Sequence, residues 1–149
     1  MTTAADVVVE ARTWIGTPYA HQHRTKGVAV DCLGLVIGVG RVLGLLAPDF
    51  DVNGYSTKPD GVTLMAGCDE HMNRVNWSDR KPGHVLLLRF AEEPQHTGIL
   101  GEYWHGEGLL TLIHAWSAAR PEGRVVEQRL MQTTLMTPLQ VYAFRGVEY

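Results

Sequence analysis

One cysteine stands where its surroundings could make it reactive. Asp31 is a good helix N-cap, and the apolar run from Cys32 to Leu46 reads as a helix buried on most faces, so Cys32 falls in the first turn. A thiol attacks a carbonyl carbon only as thiolate, and the unpaired N–H groups and partial positive charge of a helix start favour that ionised form. The chemistry on offer is nucleophilic acyl transfer. It also needs a base within hydrogen-bond reach and a donor for the oxyanion, and the backbone N–H of Cys32 is the candidate donor. The bland alternative is a buried cysteine serving as a small apolar filler.

The chain has seven histidines. His96 and His114 lie in short strand-like runs, His96-Thr97-Gly98-Ile99 and Ile113-His114-Ala115. His21 and His23 sit in a basic loop and read as solvated, whereas His71 and His105 have no partner legible in sequence. The spacing of His96, His105 and His114 permits three ligands to converge on zinc. No Cys or His pair shows ligand spacing, however, and no His-Glu-x-x-His occurs, so neither metal nor cofactor is expected. The other cysteine, Cys68, lies in a mediocre helical pattern and reads as packing. Neither cysteine belongs to a Cys-x-x-Cys pair, and a bridge between them would be uncommon in a cytosolic chain, so at least one thiol is expected free. Trp14, Trp77, Trp104 and Trp116 read as core residues rather than sugar platforms.

The elements that must position these groups follow from pattern. Thr3 and Asp6 form a capping-box start; Val8, Ala11 and Ile15 fall on one stripe, and Gly16 with Pro18 ends a helix predicted over residues 4 to 15. Residues 20 to 30 read as a surface loop running into the Asp31-Cys32 motif. Glycines 34, 38, 40 and 44 weaken the second helix, and close packing against another element is the expected compensation. Residues 49 to 61 make a long connection, and residues 62 to 77 hold a weaker helical pattern. Strand-like runs follow at 85 to 90, 97 to 100, 109 to 115, 124 to 130 and 140 to 145. Helices followed by a strand meander mean α+β, with the helices packed on an antiparallel sheet.

At 149 residues and 45% hydrophobic content, the chain supports one core, so a single domain over residues 1 to 149 is expected. A formal charge of -3 with scattered Lys and Arg gives no cationic face, so nucleic acid is not the expected partner. No run approaches the roughly 18 apolar residues of a membrane span, and the first residues lack the order of a secretory signal. No membrane insertion is expected, and the chain reads as made in the cytoplasm without a Sec-type address.

Taken in order, Gly16-Thr17-Pro18-Tyr19, Asp31-Cys32-Leu33-Gly34-Leu35-Val36, His96-Thr97-Gly98-Ile99 and Ile113-His114-Ala115 resemble the NlpC-type family of cell-wall cysteine peptidases. The resemblance covers about residues 7 to 116. It implies a papain-like fold, with Cys32 as nucleophile, His96 as general base and then general acid, and His114 as the group orienting His96. Tyr19 looks like the family tyrosine that lines the cysteine site, with Asp31 beside it. The variant Asp-Cys-Leu-Gly and the lead-in Pro18-Tyr19-Ala20-His21-Gln22 look most like the branch found with tail genes of phages and gene transfer particles. That branch implies hydrolysis of peptidoglycan stem peptides in the periplasm by a particle tail component, with other tail or baseplate hub proteins as partners. Two other readings stay open. One is a structural hub module with a vestigial site, and the other is an acyltransferase resolving the same thioester with an amine or alcohol. Two positions depart from the family pattern: Leu33 stands where serine is usual, and His84 where an acidic residue often precedes the first strand. His84 is expected to be either surface variation or a substrate contact.

Overall fold

The computed structural model describes residues 1–56, 62–91, 93–106, 108–131 and 135–149. A two-residue strand, β1 (Thr2–Thr3), leads into helix α1 (Ala4–Arg12). The capping box is present: the Asp6 N–H donates to the Thr3 hydroxyl at 3.3 Å, and the Thr3 N–H donates to the Asp6 carboxylate at 2.8 Å. The helix stops at Arg12 rather than at residue 15. The Thr13 hydroxyl donates to the Glu10 carbonyl at 2.6 Å, a local bond that competes with continuation of the helix.

The expected loop over residues 20 to 30 holds a small hairpin, β2 (Arg24–Thr25) and β3 (Ala29–Val30). It delivers the chain to α2 (Cys32–Val42), which ends short of Leu46 at Gly44, whose φ of 70° suits a residue without Cβ. Residues 57–61 of the expected long connection lie outside the described residues. The helical pattern at 62 to 77 divides: α3 (Thr63–His71) gives way to strand β4 (Met72–Val75) and a single 3-10 turn (Trp77–Asp79). Long-range pairing decides this, because Met72 to Val75 ladder onto Phe144 to Val141.

The second half is the expected meander, β5 (Val85–Phe90), β6 (Glu93–Glu102), β7 (Leu110–Trp116), β8 (Arg124–Arg129) and β9 (Met136–Phe144). A last short strand, β10 (Val147–Glu148), pairs with β1. The six-stranded antiparallel sheet runs β4-β9-β5-β6-β7-β8. Proline at 138 argues against strand there, yet β9 begins at Met136. The proline is tolerated because β4 covers only Val141 to Phe144, and because the β5–β9 register shifts beside it, between Leu87 and Leu88.

Alternation divides the sheet into two apolar faces. Val85, Leu87, Ile99, Ile113, Ala115 and Tyr142 pack with Val7, Val8 and Ala11 of α1 and Leu35, Val36 and Val39 of α2. Leu86, Leu88, Phe90, Leu100, Leu112 and Val141 form a second cluster on the opposite face, closed by Trp77 and Trp116. Among the described residues, no helix is long and apolar enough to cross a membrane.

The glycines of α2 serve close packing, as their number suggests. A methyl group on Gly38 would overlap the ring of Trp14, itself 2% exposed, so the indole sits directly against the helix backbone there. Overpacking of this kind costs about 1–3 kcal/mol. Gly38→Ala is therefore expected to lower the melting temperature measurably despite alanine's better helix propensity. Combining it with Trp14→Phe should recover part of the loss; a neutral single substitution would show that the indole moves freely.

Candidate active site

The nucleophile candidate is placed by a buried carboxylate. Asp31 is 2% exposed and caps α2 by accepting the Gly34 N–H at 2.8 Å. It also accepts the Gln22 N–H at 2.7 Å, the Arg24 guanidinium at 3.0 Å and the Tyr55 hydroxyl. Arg24 continues outward to Asp51 at 2.9 Å and to the Val52 carbonyl at 3.0 Å. Burial and the neighbouring carboxylate hold the Tyr55 phenol well above its ordinary range. Asp31 thus faces inward with its carboxylate engaged, directly beside Cys32 at the start of α2.

Cys32 follows directly, half-buried and with a free thiol. Of the helix-start amides, Gly34 is capped by the Asp31 side chain and Leu35 donates to the Asp31 carbonyl at 3.1 Å, and neither bond uses the Cys32 N–H. Tyr19 is half-buried close by. Its N–H donates to the Gly123 carbonyl at 2.9 Å, and it bridges to Val30, two residues ahead of Cys32. Cys68 packs in the helical core, 4% exposed, and burial pushes its thiol up to about 12.

His96 and His114 are brought together. His96 Nε2 lies 2.7 Å from His114 Nδ1, the ring planes are 84° apart, and both residues are fully buried. Phe90 packs on both, with ring centroids 5.3 Å from His96 and 4.8 Å from His114, and Trp116 lies beyond. Burial, then the charge of His96, push His114 down to about 3, while a side-chain interaction with Gln128 works in the opposite direction. Gln128 on β8 was missed in the sequence. It pairs with Leu112, two residues from His114 on the same face, a relation visible only once the β7–β8 register is known.

The strands themselves set where these rings point. His96 pairs with Leu88, and the ladder between β6 and β7 ends at Ile99↔Ile113, so the two histidines lie beyond the last paired residues. Alternation sets both imidazoles on the face of Leu88, Phe90 and Leu112, whereas α2 packs on the Ile99 and Ile113 face. The sequence reading had His96 facing the thiol across a helix–strand contact. Register alone does not aim it there. The hydrogen bond on display joins the two imidazoles, and a thiol–imidazole contact is what the functional reading adds.

The remaining aromatic and imidazole groups sort differently from expectation. His84 is neither surface variation nor a substrate contact: it is 3% exposed, accepts the Lys81 N–H at 3.0 Å and packs on Tyr149 at 4.2 Å. His21 lies 3.2 Å from the Tyr55 carbonyl and 3.9 Å from the Asp31 carboxylate, so it belongs to the anchoring network; His23 is exposed. His71 packs edge-on against Phe50, and His105 is exposed near Tyr103. Trp104 is on the surface, not in the core. Among the described residues no group of three His, Cys, Asp or Glu is placed to hold a metal ion.

No family model matches the sequence, and no curated protein matches it either. Solved structures do. NlpC1 from Trichomonas vaginalis matches with a TM-score of 0.64 at 16% identity, over 97% of this chain and 45% of that one. NlpC2 from the same organism gives 0.61 at 16% identity, over 97% of this chain and 47% of its own. The NlpC/p60 domain of peptidoglycan hydrolase SagA gives 0.55 at 22% identity, over 95% of this chain and 99% of that domain. The fold is the NlpC/p60 fold. This chain spans under half the length of the two Trichomonas proteins. Within the NlpC/p60 fold, the papain-like α+β reading of the sequence holds, with three helices among the described residues packed on a large antiparallel sheet.

His84 gives the fold a testable pH signature. Burial and nearby Lys81 push it down to about 4, so between that value and the unfolded value of 6.5 the unfolded chain binds the extra proton. The contribution is intact above pH 6.5 and is lost as pH falls toward 4. Lowering the pH from 6.5 to 5 should cost on the order of 2 kcal/mol through this residue. Thermal melts at the two pH values should therefore differ less for His84→Gln than for the parent; an unchanged difference would place the acid sensitivity elsewhere.

Proposed function

We propose that this chain is a cysteine peptidase that hydrolyses amide bonds in peptidoglycan stem peptides, acting in the tail of a phage or phage-like particle. The observation that carries the reading is the buried His96–His114 hydrogen bond in a chain whose Cys32 opens a capped helix of the NlpC/p60 fold. Such a pair has a chemical use. A neutral His114 that accepts the His96 Nε2–H leaves the lone pair of His96 on Nδ1, the nitrogen that would take a proton from a thiol. Burial favours that neutral state of His114.

The steps then balance. The Cys32 proton passes to His96 Nδ1 as sulfur bonds to the amide carbon, and the carbonyl oxygen takes the negative charge against the Cys32 N–H. Collapse breaks the C–N bond, and His96 returns the proton to the leaving amine. Water then attacks the thioester, losing a proton to His96; the C–S bond breaks and His96 returns that proton to the leaving sulfur, so the products are a carboxylic acid and the restored thiol. Gln128 beside His114 acts as a positioning residue for the imidazole pair.

The tail placement rests on the Asp-Cys-Leu-Gly variant and on the lead-in Pro18 to Gln22. That lead-in has a physical purpose, since Gln22 donates through its backbone to Asp31 and through its side chain to the Tyr55 carbonyl at 2.7 Å. The reading includes synthesis in the cytoplasm, docking on other tail or baseplate hub proteins and action on the wall in the periplasm.

Incubation with purified wall sacculi tests the activity through release of amine-bearing muropeptides. Cys32→Ala should release nothing above background, and His96→Ala should fall by roughly a thousandfold. His114→Ala should fall by about 10- to 100-fold, with His114→Asn recovering part of the rate because an amide can also hold one tautomer. Equal release by the parent and Cys32→Ala would remove Cys32 from the mechanism.

A further inference from the structure

Trp104 is 70% exposed, whereas Trp14 is 2% exposed and Trp77 and Trp116 are half-buried. A lone apolar ring left in water is ordinary, whereas a cluster of them marks a contact site. The ring is not alone. Tyr103 stacks on it, with centroids 5.3 Å apart and planes 27° apart, so the phenol braces the indole while most of the indole stays open to solvent. The Arg129 guanidinium lies 5.8 Å from the Tyr103 ring, and the Tyr103 N–H donates to the Leu109 carbonyl at 3.0 Å, closing the loop between β6 and β7. His105 stands edge-on to both rings, at 6.0 and 5.7 Å, and adds a polar edge. The platform is preformed.

We propose that Tyr103 and Trp104 form a saccharide-binding platform for the glycan strand of peptidoglycan. This deepens the functional reading above and rests on its substrate. The C–H face of a pyranose ring is flat and apolar while its rim carries hydroxyl and acetamido groups, which matches an exposed indole braced by a stacked phenol and flanked by an imidazole. A protein partner fits less well. Two aromatic side chains offer about 300–500 Å² together, well under the ~800 Å² per partner of a stable protein complex. A repeating polymer needs no such area, because successive sugars present the same face and tethering raises the local concentration of the bond to be cut. Trp104 lies eight residues beyond His96 along the chain, roughly 25 Å at about 3.3 Å per strand residue. The platform therefore grips the wall away from the reacting bond, and it should matter for intact wall and not for a short soluble peptide.

The test uses full-length protein carrying Cys32→Ala, so that binding is read without cutting, and two probes: an N-acetylglucosamine hexamer and purified sacculi. The hexamer should shift the intrinsic tryptophan fluorescence saturably. Adding Trp104→Ala should abolish that shift and reduce the sacculus-bound fraction by roughly tenfold or more, while Trp104→Tyr keeps most of the binding. In the active background, Trp104→Ala should cleave a soluble stem peptide at the parental rate. Undiminished sacculus binding by Trp104→Ala, or a hexamer that leaves the fluorescence unchanged, overturns the platform. The two readings fail separately: absence of cleavage by the parent removes the hydrolase and leaves saccharide binding standing, and loss of saccharide binding with cleavage intact removes only the platform.

Discussion

The start of α2 depends on one buried carboxylate. Asp31 gathers two backbone amides, a guanidinium and a phenol from three separate stretches of chain, residues 22 to 24, Gly34 and Tyr55. A buried carboxylate is costly unless its lone pairs are filled and its charge is met, and here both conditions hold. The consequence is structural before it is chemical. The polar lead-in and the loop carrying Asp51 and Tyr55 are tied to the first turn of the helix, and Cys32 is presented with little freedom in its backbone.

The sheet holds the imidazole pair. His96 and His114 would be expensive to bury singly, but each meets the other, and Phe90 with the surrounding leucines excludes water from the pair. Desolvation keeps His114 neutral, which is the state a proton-accepting partner requires. Where the β6–β7 ladder ends at Ile99 and Ile113, the strands carry these side chains without a direct pairing between them, so the imidazole contact replaces the ladder at that end.

Much of this was legible in local chemistry. Thr3 and Asp6, Asp31 as a cap and the bounds of β5 all follow from residues close in sequence or from the demands of a helix terminus. What was not legible depends on partners far along the chain. Met72 to Val75 carry no strong period-two signal and become strand because β9 offers them a ladder. His84 reads in sequence as surface variation or a substrate contact because its companion, Tyr149, is 65 residues away. Gln128 joins His114 only through the β7–β8 register, and the side of the sheet on which His96 points follows from its pairing with Leu88 rather than from its motif. Trp104 was read as core from its type, while its place in the β6–β7 loop puts it in solvent.

The central claim is that the thiol at the helix start and the buried imidazole pair work as one unit. The most direct measurement is the rate at which iodoacetamide alkylates Cys32 at neutral pH, in the parent and in His96→Ala, with the adduct located by mass spectrometry. Buried Cys68 supplies the internal control for an unreactive thiol. The account predicts fast modification of Cys32 that drops by roughly an order of magnitude or more when the imidazole is removed. Equal rates in the two proteins would contradict it, because the sulfur would then have no functional connection to His96.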